Sequence, residues 1–238
     1  MAGTSHNVRR MTSSFPHQPP TWPLLAWLTA GLAGVAAPAI AMLLLRNAPA
    51  SAPITQVAGP ILAVGLMGAG MISAAIARRV WIGIALALVT GAGLIWLACA
   101  LAMPPVAHPM AAGLAVIIAS TSFAARGTLF ARSAADKGWW IAVAVVAGEA
   151  AVVATAAAMP NALPDWLLAL LPAQWASIAI QSALTSPGMP AARAALFALG
   201  GTAAATLLVA HLWPKRWPYL IMFTTWLGFS ALVWHQIG

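Results

Sequence analysis

Apolar residues occur in continuous runs of 16 to 24, and that pattern limits what this chain can fold into more than any other feature. A helix needs ~20 predominantly apolar residues to cross the ~30 Å hydrocarbon layer of a bilayer. The runs show no apolar/polar alternation, which excludes a transmembrane β-barrel. Of 238 residues, 62% are apolar and only 6% are charged. A soluble domain carries roughly 25% charged residues, so lipid must be the solvent for most of this chain. The sequence predicts an all-α, polytopic transmembrane helix bundle.

Spans are predicted at Trp22–Leu45, Val57–Ala77, Val80–Met103, Met110–Ala125, Trp139–Met159, Trp166–Thr185, Ala194–Trp213 and Trp217–Gln236. Proline punctuates them, at Pro104, Pro105, Pro109, Pro160, Pro164, Pro187, Pro190, Pro214 and Pro218. Its missing amide and its clash with the preceding turn suit it to span boundaries. The fourth span is short unless it continues through Phe130, and Pro172 breaks the sixth. Eight helices are favoured, with seven plus a re-entrant or interfacial segment as the rival. Tryptophans near span ends, among them Trp81, Trp140, Trp166, Trp217 and Trp234, read as interfacial anchors. The small-residue pairs Gly65/Ala69, Gly70/Ala74 and Gly200/Ala204 predict that the second and seventh spans pack inside the bundle.

Residues 1–21 are polar and Pro-rich and read as a disordered cytoplasmic tail, leaving 22–238 as one transmembrane domain. Ala48-Pro49-Ala50 resembles a signal cleavage site. The apolar segment before it is longer than the 7–15 residues of a signal peptide, so an uncleaved helix is favoured. The net charge of +8 comes from basic residues scattered over short loops, which cannot track a phosphate backbone. They read as topology signals, and nucleic acid is not an expected partner. With eight spans, Arg9, Arg10, Arg78, Arg79, Arg126, Arg132, Lys137 and Arg193 fall on the N-terminal side, against Arg46, Lys215 and Arg216. That balance places the N-terminus in the cytoplasm of a cell whose inner, cytoplasmic-type membrane holds the chain. If the sixth segment fails to cross, Lys215 and Arg216 join the cytoplasmic side and Arg193 leaves it.

Glu149 is the only acid well inside an apolar segment. A carboxylate at such a depth costs ~2.5–3.5 kcal/mol even on the insertion scale. It must be neutralised, paired with Arg126, Arg193 or a glutamine, or set beside water; as a functional group it would titrate during a transport cycle. Gln174, Ser177, Gln181 and Thr185 fall at i, i+3, i+7 and i+11, a polar stripe on one helix face. The stripe reads as the lining of a solute path, as interhelical hydrogen bonding, or as an interfacial helix. Asp165 has the position of an N-cap and Asp136 that of a solvated loop charge.

No cofactor is expected. Nucleotide loops, zinc-hydrolase and serine-hydrolase motifs are missing, and neither lysine sits inside a span to hold retinal. His211 and His235 end antiparallel spans at opposite faces, His108 and His211 could share a face, and two histidines without a carboxylate or cysteine nearby are weak metal evidence. Cys99, the single cysteine, reads as a small buried apolar side chain. The leading expectation is a small carrier or permease component, with Glu149, Gln174, Ser177 and Gln181 as candidate transport or proton-coupling residues. The alternatives are a non-catalytic subunit or assembly factor binding other membrane subunits, and a membrane-embedded enzyme. The lipid bilayer is the partner common to all three.

Overall fold

The computed structural model describes residues 21–46, 54–101, 106–185, 190–214 and 217–237. Most of the N-terminal tail, Ala48-Pro49-Ala50, Pro104-Pro105, Pro187 and Lys215-Arg216 lie outside these residues. The described chain is an all-α helical bundle, with no strand among the described residues. Its elements are α1 (Thr21–Gly31), α2 (Ala37–Arg46), α3 (Ile54–Met67), α4 (Ser73–Ala77), α5 (Val80–Ala100) and α6 (Pro109–Ala134). They continue with α7 (Gly138–Ala158), α8 (Asp165–Ala169), α9 (Pro172–Thr185), α10 (Pro190–His211) and α11 (Pro218–Ile237).

Five stretches of the described residues are long and apolar enough to cross a membrane: Pro23–Arg46, Gln56–Ala77, Val80–Ala100, Pro109–Ala158 and Ala192–His211. The longest contains both α6 and α7, which part at Ala135, where φ is 48°. This set of helices fits a multi-pass membrane protein. The outward faces agree, since Trp81 is 76% exposed and Leu220 71%, a pattern that water would penalise and lipid does not. Cys99 also lies on an exposed face of α5, contrary to its expected burial.

Two π-helical turns interrupt the first two apolar stretches, Leu32–Ala36 between α1 and α2 and Gly68–Ile72 between α3 and α4. Pro38 explains the first: its ring would clash with the carbonyl four residues earlier, at Gly34, and a widened turn relieves that clash. The two turns meet, with a Cβ built on Gly34 falling 2.7 Å from the Ala69 amide nitrogen. Every residue of Gly68–Ile72 is buried. α5 and α6 close over this turn through glycine, Gly83 against the Gly70 carbonyl and Gly127 against the Met71 carbonyl. The second small-residue segment is therefore inside the bundle, as its Gly65, Ala69, Gly70 and Ala74 predict. In α10 the close contact falls one residue later than the predicted pair: Gly201 meets the Phe229 ring, while Ala204 is exposed.

The ends of the helices are tied in two groups. The amides of Ala107 and His108, leading into α6, donate to the Leu184 and Ala183 carbonyls at the end of α9, at 3.3 and 3.1 Å. At the other end of α6, Arg132 donates to the Ala210 carbonyl near the end of α10. The Arg78 guanidinium, after α4, pairs with Asp136 in the α6–α7 turn at 2.6 Å. Asp136 thus pairs across the turn and remains exposed. His108 and His211 lie at opposite ends of α6, roughly 36 Å apart at ~1.5 Å per residue. They share no face, contrary to the sequence expectation.

Candidate functional site

The sixth apolar segment is broken where Pro172 predicts, into the five-residue α8 and the 14-residue α9. Neither piece reaches the ~20 residues of a spanning helix. A break inside an apolar environment exposes backbone groups that must find partners within the protein. Here they do. The Trp175 indole donates to the Ala169 carbonyl at 2.8 Å, and the Trp226 indole, from α11, to the Leu170 carbonyl at 3.2 Å. Pro172 has no amide to satisfy, and the next amide, Ala173, donates to Glu149 Oε2 at 2.9 Å. Glu149 on α7 is thus an N-cap supplied by a different helix, where the positive end of α9 favours a carboxyl group.

Arg126 stands near it. The sequence places Arg126 in a loop after a span ending at Ala125, but α6 runs on to Ala134, so Arg126 is inside a 26-residue helix. Its guanidinium lies over the Phe123 ring, with Cζ 5.8 Å from the centroid. Nη1 and Nη2 are buried and have no hydrogen-bond partner among the described residues. Arg126 and Glu149 act on one another electrostatically without forming an ion-pair contact. Ser122, one turn before Arg126 on the same face, also has a buried, unpartnered hydroxyl, as does Ser120. By contrast Thr121, Thr202 and Thr206 bond back to carbonyls of their own helices, as hydroxyls in apolar helices commonly do.

The polar stripe of α9 divides between two neighbourhoods. Gln174 directly follows Ala173, so it belongs to the Glu149 end and is partly buried there. Ser177 and Gln181 face α3. The Gly59 amide donates to Gln181 Oε1 at 2.8 Å, and a Cβ on Gly59 would lie 2.7 Å from the Ser177 carbonyl. Gln181 is therefore one of the groups joining α3 to α9, about 12 Å along the helix from Ala173 at ~1.5 Å per residue. Thr185 is exposed and bonds to its own helix at 2.9 Å. Asp165 is the first residue of α8 and exposed; it makes no capping hydrogen bond, contrary to its expected role.

Sequence reasoning singled out Glu149, which is partly buried, and named Arg126 as a possible partner, but did not foresee that the Arg126 Nη atoms would lack a hydrogen-bond partner among the described residues. It also passed over Trp175 and Trp226, whose indoles complete the break. The available signal for those was Leu170-Leu171-Pro172 itself, a break that demands donors from somewhere. No group of three or more His, Cys, Asp or Glu side chains is placed to hold a metal ion among the described residues. Comparison with protein-family models, with curated proteins and with solved structures finds no match, so the reading of this site rests on its own residues.

Proposed function

We propose that the chain is a small carrier or permease component of a cytoplasmic-type membrane, with its polar step at the α8–α9 break. The observation that supports this reading most is the buried, unpartnered Arg126 guanidinium beside a carboxyl-capped interruption of an apolar segment. A charge at such a depth is costly and serves packing poorly. Interrupted helices are tolerated in membranes where protein or a wet cavity satisfies their backbone, and carriers place solute sites at such points. Glu149 and Gln174 sit at this end of α9, whereas Ser177 and Gln181 hold α3; the transport role therefore centres on Glu149 and Arg126.

In this reading α8 and α9 form a re-entrant segment and the remaining helices make seven crossings. α9 ends beside the start of α6, and α10 returns to the end of α6 that carries Arg132. Arg78, Arg79, Arg132 and Lys137 then share one side with the α10–α11 connection, which carries Lys215 and Arg216 in sequence. Arg46 and Arg193 fall on the other side. This bias is steeper than an eight-span layout gives, and it supports a cytoplasmic N-terminus.

The test is uptake of labelled small solutes into liposomes containing the purified protein. A carrier shows saturable uptake that falls at least tenfold in Glu149→Gln. Equal uptake by empty liposomes for every solute, with the protein recovered only alongside stoichiometric companions, would transfer the reading to a membrane subunit.

A further inference from the structure

The donors around Arg126 narrow the chemistry of the solute. We propose that Arg126 receives a small, singly charged planar oxyanion of the carboxylate type, with Ser122 as its second donor. This inference rests on the carrier reading and names the solute class for it.

Nη1 and Nη2 are both buried without a protein partner, so the outer edge of the guanidinium is unspent. That edge is a planar fork matched to the two oxygens of a carboxylate, which it binds through two parallel hydrogen bonds. The Ser122 hydroxyl, also buried and unpartnered, lies one turn earlier on the same helix face. Two kinds of donor left unsatisfied on one stripe are costly in an apolar bundle, the charged one most of all. A bound anion would satisfy both.

Charge selects a monoanion. Glu149 interacts electrostatically with Arg126, and its Oε2 is already held by the Ala173 amide. With the Glu149 carboxyl protonated, the one guanidinium balances a single negative charge on the solute and leaves nothing to balance a second. The neighbour selects an apolar body: the Phe123 ring, over which the guanidinium lies, offers no polar side-chain group to a hydroxylated solute.

Propionate is the probe, with sulfate at matched ionic strength as the doubly charged control, measured by calorimetry on the full chain in detergent. The expected result is saturable binding of propionate at one site and none of sulfate. Arg126→Gln should weaken propionate binding at least tenfold, equivalent to ~1.4 kcal/mol, and Ser122→Ala several-fold. Absence of saturable propionate binding overturns the proposal, as does an affinity that neither substitution changes. Should Arg126→Gln not purify as a monodisperse protein, Ser122→Ala alone decides, and unchanged affinity overturns the proposal. Saturable binding without flux in liposomes would keep this site and remove the carrier reading. Propionate flux that persists in Arg126→Gln would keep the carrier and remove this site.

Discussion

Two neighbouring positions of α6 face two different interiors. Gly127 lies against the Met71 carbonyl in the buried π-turn, where the first π-turn, α5 and α6 close on apolar side chains and glycine. Arg126, the residue before it, places two buried nitrogens where no described group meets them. In the first region side-chain size is limiting. In the second the limit is polarity, with an amide, two indoles and a carboxyl group arranged around a broken helix. The contrast separates what holds this bundle together from what is kept at a cost to stability, and the latter is where function is to be sought.

The largest expected effect lies in the polar region. Glu149→Ala removes both the cap of α9 and the only carboxyl group acting on Arg126, leaving a buried charge uncompensated, a change worth ~3–5 kcal/mol. Glu149→Gln also leaves that charge uncompensated but keeps the cap, because its amide oxygen still accepts from Ala173, and should lose less by ~1 kcal/mol; unfolding midpoints in detergent rank the two. In the apolar region Gly127→Ala forces a methyl group into the Met71 carbonyl and should cost ~1–3 kcal/mol. An equal cost for Gly93→Ala, where a Cβ meets nothing within 4 Å, would remove the claim that size is limiting at the crossing. Gln181→Leu strands the Gly59 amide and should cost ~1–3 kcal/mol, without changing solute uptake beyond its effect on folding. Loss of uptake at full stability would return Gln181 to the transport path. The smallest effect is expected for Thr185→Ala, within ~0.5 kcal/mol, because that hydroxyl is exposed and bonds within its own helix.

The apolar runs alone carried most of the fold, since twenty lipid-soluble residues between prolines have few structures open to them. The break at Pro172 was legible for the same reason. The site was half legible. Glu149 is conspicuous as an acid in an apolar segment, but Arg126 was misread because a basic residue sixteen positions into a span looks like its end. Only the continuation of α6 to Ala134 moves it inside. The stripe Gln174, Ser177, Gln181 was legible as a helix face, but periodicity does not say what faces it. Gly59, which lets α3 approach Gln181, is 122 residues away in sequence.

The central claim is that the Arg126–Glu149 pair is kept for solute handling and not for stability. The most direct test is the unfolding midpoint of the double variant Arg126→Met/Glu149→Gln in detergent. Replacing buried charges by an apolar side chain and an uncharged cap is often neutral or stabilising. The account predicts a midpoint equal to or above that of the parent protein, together with loss of solute uptake. A loss of ~3 kcal/mol or more, of the size seen when a structural buried pair is broken, would contradict it and make the pair part of the scaffold.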